Sequence, residues 1–307
     1  MTNFHPSGTQ WTIAHGVQTA TVVEVGGGLR GYTVDGVEVL DGYGEDELCP
    51  AGAGQTLAPW PNRVRDGYYR YDGQPHQLSL TEPALHNAIH GLVHWLPWTA
   101  VEQTEDAVTV ECVLHARPGY PWQLRLRTAY SLDDAGLRIS HTAVNEAPTA
   151  APFGLGVHPY LHIPGVSVDD LVLHVPARTR LLVDGRMLPI GAAKVAGGEF
   201  DFTEARRLGA LELDTAFGDV VREDDGGSAV SITAPDGRTV RVWADENFGW
   251  WQLFTSHTLT GPRHRRSIAI EPMTCPPDAL RSGRDLITLD PGQLWAGTWG
   301  ISARTAA

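Results

Sequence analysis

Short strand-like segments separated by turn residues recur along almost the whole chain, and this pattern most constrains the fold. The segment Gln123–Tyr130 alternates apolar and polar residues, as a strand with one buried and one wet face does. Asp-Gly pairs at Asp35-Gly36, Asp72-Gly73 and Asp236-Gly237 predict tight hairpin turns between neighbouring segments. The sequence therefore predicts an all-β fold, a large antiparallel β-sandwich.

Helical periodicity is weak by comparison. We expect short helices only near Thr203–Leu208 and Pro277–Ser282. The Pro/Gly-rich stretch Asp184–Gly198 predicts a long loop between strands. Because no repeat or low-complexity linker divides the chain, we predict a single domain over residues 1–307, with its core at about residues 18–303.

Composition narrows the possible partners. The 307 residues include 42% hydrophobic residues, enough for a substantial core, and the formal net charge is −13. This acidity argues against nucleic acid and anionic membrane as partners and suits a neutral small molecule. The first eight residues have neither the basic nor the apolar region of a signal peptide, and the three cysteines show no disulfide or zinc spacing. We therefore expect a cytoplasmic protein without a metal site.

A histidine and a glutamate, far apart in sequence, share a similar local setting. His158 follows the apolar run Phe153–Val157, and Glu271 follows Ile268–Ile270. Each is followed directly by proline, which predicts that the strand ends there. A glutamate after such an apolar run is costly to bury without a role, and the two side chains are suited to general acid and base catalysis. We expect their reactive atoms to face each other at about 5–6 Å, roughly the width of a pyranose ring.

Four further segments complete the pattern: Trp60–Gly67, Asn87–Gly91, Leu213–Phe217 and Trp251–Thr255. In this order, with the His158 and Glu271 segments, they resemble the aldose 1-epimerase (galactose mutarotase) family from about Gln18 to the C-terminus. The resemblance implies the family's β-sandwich, the galactose mutarotase-like supersandwich, with an aldose bound in an open cleft.

The resemblance also implies roles for seven residues and no metal or organic cofactor. His158 would act as the acid and Glu271 as the base, while the following would contact the sugar: Asn62, Arg63, His90, Asp214 and Gln252. Glu271 would take the proton of the C1 hydroxyl and His158 would protonate the ring oxygen, which opens the ring. Rotation about C1–C2 and reclosure would then give the other anomer. A nearby carboxylate, from Asp214 or Glu271, would keep His158 protonated near neutrality.

The sequence departs from the better-known mutarotases beside the site residues. Gly156-Val157 precedes His158, where those enzymes usually carry an Asn-His pair. A single glycine, Gly91, follows His90, where two glycines are common in those enzymes. These differences leave the preferred sugar open. A sugar-phosphate 1-epimerase remains an alternative, with a phosphate site built from arginines: Arg63, Arg65, Arg263, Arg265 and Arg266. The same segments also fit a glycoside hydrolase, with Glu271 and Asp214 as its two carboxylates, or a non-catalytic sugar-binding protein.

Each candidate also has a simpler structural interpretation. Arg63 could pair with Asp66, and Glu271 with Arg265 or Arg266. Trp60 and Trp251 adjoin motif residues and are candidates for stacking on a sugar face. The chain's oligomeric state, monomer or homodimer, does not follow from the sequence.

Overall fold

The computed structural model describes residues 5–304, and Met1–Phe4 lie outside it, so half of the N-terminal stretch used to exclude a signal peptide is not described. Strands dominate the described residues, joined by three 3₁₀ turns (Pro83–Leu85, Val168–Asp170 and Gly261–Arg263) and one short α-helix, α1 (Ala279–Ser282). The strands are β1 Gln10–His15, β2 Gln18–Val23, β3 Leu29–Val34, β4 Val37–Glu38, β5 Thr56–Leu57, β6 Arg63–Arg65, β7 Tyr68–Tyr71, β8 Gln74–Gln77, β9 Asn87–Ile89, β10 Thr99–Gln103, β11 Ala107–Leu114, β12 Leu124–Asp133, β13 Gly136–Asn145, β14 Ala151–Phe153, β15 Gly156–Val157, β16 Tyr160–Leu161, β17 Val172–His174, β18 Ala177–Val183, β19 Pro189–Lys194, β20 Arg206–Arg207, β21 Asp214–Val220, β22 Ser228–Thr233, β23 Thr239–Ala244, β24 Trp250–Phe254, β25 Ile268–Met273, β26 Ile287–Leu289 and β27 Leu294–Arg304.

Two large antiparallel sheets form the body of the molecule. One has nine strands in the order β10-β11-β12-β13-β27-β23-β22-β17-β20, and the other runs β19-β18-β21-β24-β25-β15-β5, with β16 also paired to β25. A four-stranded sheet (β1–β4) and three two-stranded sheets (β14-β26, β6-β9 and β7-β8) complete the fold. The predicted all-β class is confirmed.

The two large sheets pack face to face, and their apolar faces share one core. The nine-stranded sheet contributes inward residues such as Val242 and Ile301, and the other sheet contributes Trp251 and Leu253. Across the interface, the Trp251 indole donates a hydrogen bond to Ser228 Oγ at 3.1 Å. Strand alternation leaves the opposite face of the second sheet free of this core, and the polar residues described below lie there.

Most predicted strands are present, but two local predictions were wrong. The stretch predicted as a loop at Asp184–Gly198 contains strand β19, which pairs with β18 through a bulge beside Pro189. The expected helix at Thr203–Leu208 is instead strand β20, paired with β17. The second expected helix is confirmed, because the short helix α1 lies within Pro277–Ser282. No helix among the described residues is long and apolar enough to cross a membrane.

Candidate active site

Three neighbouring strands of the second sheet bring Asp214, Gln252 and Glu271 onto one face. Gln252 of β24 lies directly opposite Glu271 of β25. On the other side, Gln252 lies opposite Ala216 of β21, two residues from Asp214. Since side chains two apart on a strand point the same way, the three polar groups project from the same side of the sheet. The residues between them, such as Trp251 and Ile270, point into the core.

His158 reaches the same face from the next strand. Gly156 of β15 pairs with Met273 of β25, and continuing this antiparallel register by two residues sets His158 opposite Glu271. Strand β15 ends before His158, as the following proline predicted. The similar prediction for Glu271 was wrong, because β25 continues through Pro272 to Met273.

The remaining predicted residues lie around the small β6–β9 sheet. Asn62 and His90 flank its strands, and the His90 amide donates to the Asn62 carbonyl at 2.9 Å. Both have left-handed backbone conformations, with φ of 54° and 63°. Such conformations are uncommon outside glycine and occur often at functional sites, where the surrounding structure holds them. Gly91 follows His90 with φ of 74°, and a Cβ there would lie 2.1 Å from the Ala58 carbonyl oxygen, so only glycine fits.

All seven predicted site residues line one open cavity of about 600 Å³, a volume typical of small-molecule sites. Further lining residues were not predicted: Ala51, Gly52, Gln55, Thr81, Ile89, His94, Trp95, Tyr160, Phe254 and Thr258. The roles of the seven as catalytic or sugar-contacting groups stay predictions, but their convergence is a property of the fold.

His158 and Glu271 are in contact at the bottom of this cavity. Nε2 of His158 lies 3.5 Å from Oε1 of Glu271, and the two residues are only 6% and 2% exposed. The His158 ring stacks on Tyr160 at 4.8 Å and meets the edge of His90 at 5.5 Å. The expected separation of 5–6 Å was therefore wrong. It took the width of a sugar ring as the guide, whereas the two oxygens that exchange protons, O1 and the ring oxygen, are both bonded to C1.

Burial sets the protonation of the pair. It lowers the pKa of His158 to about 4. Burial, reinforced by the negative charge of Asp214, raises the pKa of Glu271 well above its ordinary value, while Arg63 opposes this shift. The expectation that a carboxylate keeps His158 protonated was thus wrong for the unliganded site, because desolvation disfavours both charged forms. Burial therefore favours the arrangement in which the one proton shared by the pair sits on the Glu271 carboxyl and His158 is neutral.

Asp214 and Gln252 form a second polar pair beside the first. Gln252 Nε2 donates to Asp214 Oδ1 at 2.5 Å, and Arg63 Nη1 lies 4.0 Å from Asp214 Oδ2. Burial raises the pKa of Asp214, with Arg63 acting in the opposite direction. His90 also has a lowered pKa, because it is buried and close to His158.

Two interpretations considered for residues of this region were wrong. Arg63 binds Glu82 rather than Asp66, whose carboxylate instead pairs with Arg186. Trp60 and Trp251 are core residues at 2% and 0% exposure, so their proposed stacking role was wrong.

The exposed aromatic residue of the cavity is Trp95, 49% exposed. Sequence reasoning missed it, although His94-Trp95 follows the His90 segment by only a few residues.

A possible metal-binding group lies elsewhere. Among the described residues, His5, Glu45 and Asp46 are the one set of three whose ligand atoms lie within 4.8 Å of one another. The two carboxylates are exposed, and none of the three residues lines the cavity. Exposed acidic clusters of this kind are common without an ion, so the set carries no argument for a metal.

Fold and site together define a class: an antiparallel β-sandwich protein with a buried histidine–glutamate pair in a cavity on the open face of one sheet. The sequence comparison narrows the class, because the aldose 1-epimerase family matches residues 9–302. The chain therefore belongs to the aldose 1-epimerase family, a family of isomerase-type enzymes acting on small aldose sugars.

Individual relatives agree with this membership. The uncharacterized protein YihR of Escherichia coli K12 is 35% identical over 295 residues, covering 95% of this chain and 92% of YihR. Human galactose mutarotase is 28% identical over 197 residues, which span 62% of this chain and 56% of the human protein. Of the solved structures, the GalM/aldose epimerase homologue from C. elegans superposes with a TM-score of 0.86 at 18% identity, covering 97% of this chain and 99% of that one. At these identities the structural likeness concerns the fold.

Proposed function

We propose that this protein is an aldose 1-epimerase that interconverts the α and β anomers of a free aldose. The observation that carries the proposal is the contact between His158 and Glu271, 3.5 Å apart at the bottom of the cavity. Mutarotation moves one proton off O1 and another onto the ring oxygen, and both oxygens share C1. Two proton-transferring groups in contact match this requirement.

The proposed cycle uses the single mobile proton of the pair. In the arrangement that opens the ring, His158 is protonated and Glu271 is a carboxylate, stabilised by the nearby charge of Arg63. Glu271 takes the O1 proton while His158 gives its proton to the ring oxygen. This leaves neutral His158 and protonated Glu271, the form that burial favours without ligand. After rotation about C1–C2, His158 takes the ring-oxygen proton back and Glu271 returns a proton to O1.

The remaining predicted residues would bind the sugar hydroxyls. Asn62, His90 and Gln252 offer neutral donors and acceptors, and Asp214 and Arg63 offer charged ones. Because His158 and Glu271 supply both proton transfers, we propose that the reaction needs no metal or organic cofactor.

The arginines favour a free aldose over a sugar phosphate. The five that were considered for a phosphate site are each paired with a carboxylate: Arg63 with Glu82, Arg65 with Asp184, Arg263 with Glu47, Arg265 with Asp169 and Arg266 with Asp41. Only Arg63 of this set lines the cavity, beside the two carboxyl groups of Asp214 and Glu271. A phosphate would therefore meet one compensated cation and two acidic groups, an unfavourable match.

The test is the rate of anomer exchange. Freshly dissolved α-glucose and α-galactose are followed by polarimetry or NMR with and without enzyme, in buffers free of imidazole. The panel extends to pentoses, aldose 6-phosphates and uronic acids. Faster relaxation of a neutral aldose supports the proposal. Release of an aglycone from a glycoside would instead support a hydrolase, and binding without any acceleration would support a sugar-binding protein.

Several broader properties stay predictions: one domain over residues 1–307, a cytoplasmic location, a monomeric or homodimeric state, and no nucleic-acid or membrane partner.

A further inference from the structure

The guanidinium group of Arg63 is held by a carboxylate that lies outside the cavity. Glu82 accepts from Nε of Arg63 at 2.9 and 3.1 Å, and from Nη2 at 2.9 Å. This two-pronged contact fixes the plane of the guanidinium. Nη1 is the nitrogen left without a hydrogen bond to Glu82, and it lies 4.0 Å from Asp214, beyond hydrogen-bonding distance. Arg63 therefore lines the cavity with its Nη1 group free to donate to a ligand.

Glu82 is itself fixed from a second side by Asn87. The Asn87 amide Nδ2 donates to Glu82 Oε2 at 2.9 Å, and the two backbones exchange hydrogen bonds across the intervening turn at 3.0 and 3.2 Å. Asn87 is fully buried, and its Nδ2 also donates to the Arg186 carbonyl at 3.1 Å. The carboxylate that holds Arg63 is thus built into the β6–β9 sheet and is not a freely rotating surface group.

We propose that Glu82 is the positioning residue for Arg63, and this inference rests on the proposed function of the site. Without Glu82, the attraction of Asp214, whose Oδ2 already lies 4.0 Å from Nη1, would draw the guanidinium into a direct ion pair in the cavity. Nη1 would then be unavailable to a sugar oxygen. The positive charge would also no longer lie where it stabilises the Glu271 carboxylate during the reaction. Glu82 competes for two of the three nitrogens and leaves Nη1 free for the ligand.

The first test is Glu82→Gln, which keeps the side-chain shape and removes the charge. We expect kcat/KM for anomer exchange to fall about 10–100-fold, the range expected when a contacting group is misplaced by about 1 Å. Glu82→Asp, which keeps the charge, should fall less. The control is Glu223→Gln, which breaks an exposed ion pair in which Nη2 of Arg241 donates to both carboxylate oxygens, and which should leave kcat/KM unchanged.

A double-mutant cycle separates positioning from a general structural role. If Glu82 acts through Arg63, adding Glu82→Gln to Arg63→Lys should change kcat/KM less than twofold, because the lysine variant already lacks the guanidinium that Glu82 positions. The proposal would be overturned if the decreases in kcat/KM of the two single variants multiply in the double variant. It would also be overturned if Glu82→Gln keeps full kcat/KM and only lowers the melting temperature. If the wild-type protein accelerates no aldose, the proposed function fails, and the same cycle is then measured as sugar affinity by calorimetry, where the same non-additivity is required.

Discussion

The substitution Glu271→Gln tests the acid/base pair most directly, because it removes one titrating group and keeps the shape. A positioned general base contributes about 10²–10⁴ in rate, equivalent to about 3–5 kcal/mol of activation free energy. Since His158 remains at the cavity floor, we expect kcat/KM to fall by that factor rather than to the uncatalysed level. The assay is polarimetric relaxation of a freshly dissolved α-anomer, with the spontaneous rate subtracted.

The same substitution should alter the pH dependence in a defined way. In the wild-type protein, kcat/KM should fall on the acid side near the His158 pKa of about 4, where both groups become protonated. It should fall on the alkaline side at the raised pKa of Glu271, where neither group carries the proton. The glutamine variant should lose this alkaline limb. An acid limb near pH 6.5 in the wild-type protein would contradict the burial argument.

Although Glu271→Gln should lower activity, it should raise the free energy of unfolding relative to the wild type as pH rises. The folded-state pKa of Glu271 is raised above its unfolded value, so its stabilisation is present at low pH and is lost as pH rises through the folded pKa. Glutamine does not titrate. The variant should therefore match the wild type near pH 4 in urea unfolding and become relatively more stable as pH rises. Full activity, or a stability deficit that grows with pH, would refute the reasoning.

Three further predictions concern the surroundings of the pair. Gly91→Ala should cost at least about 2 kcal/mol in urea unfolding, because its Cβ meets the Ala58 carbonyl. Gly73→Ala, at the same φ of 74° but with nothing within 4 Å of the added Cβ, should cost about 1 kcal/mol, and equal costs would contradict the steric argument. Trp95→Ala should raise KM about 2–10-fold with little change in kcat, as expected if the exposed indole stacks on the sugar, and Trp95→Phe should restore most of the affinity; an unchanged KM would exclude that contact. His141, whose pKa burial lowers to about 3, stabilises the fold only while neutral, so about 2 kcal/mol should be lost between pH 6.5 and 4.5 and retained in a non-titrating His141→Gln variant; equal losses in both proteins would assign the acid sensitivity to other groups.

The sequence predicted much of the fold because strand alternation and Asp-Gly turns are local signals. The hairpin at Asp72-Gly73 and the alternating burial along Leu124–Asp133 are both present. Strand β19 was missed because Pro-Ile-Gly-Ala-Ala-Lys carries little strand propensity of its own. Its structure comes from hydrogen bonds to β18, and proline is tolerated at the start of an edge strand.

The sequence motifs predicted which residues line the site, but not the ion-pair and packing neighbours of those residues. All seven predicted residues line one cavity. Asp66, three positions away, was considered as a structural partner of Arg63. The fold instead selects Glu82, 19 positions away, because a turn and a two-stranded sheet bring it alongside. The pKa of His158 could not be inferred either, since desolvation depends on the packing of Tyr160 and His90 around the ring.

In the proposed cycle, burial of the pair would allow one proton to be moved reversibly between two unlike groups. In water an imidazole binds a proton more tightly than a carboxylate by about two pKa units, so the acid would always be His158 and the base always Glu271. Desolvation lowers the pKa of the imidazole and raises that of the carboxyl, which reverses this order. Arg63, together with the hydroxyls of a bound sugar, would favour the charged arrangement again. The two protonation states would then lie close in free energy, and ring opening and ring closure, which use them in opposite order, would face similar barriers.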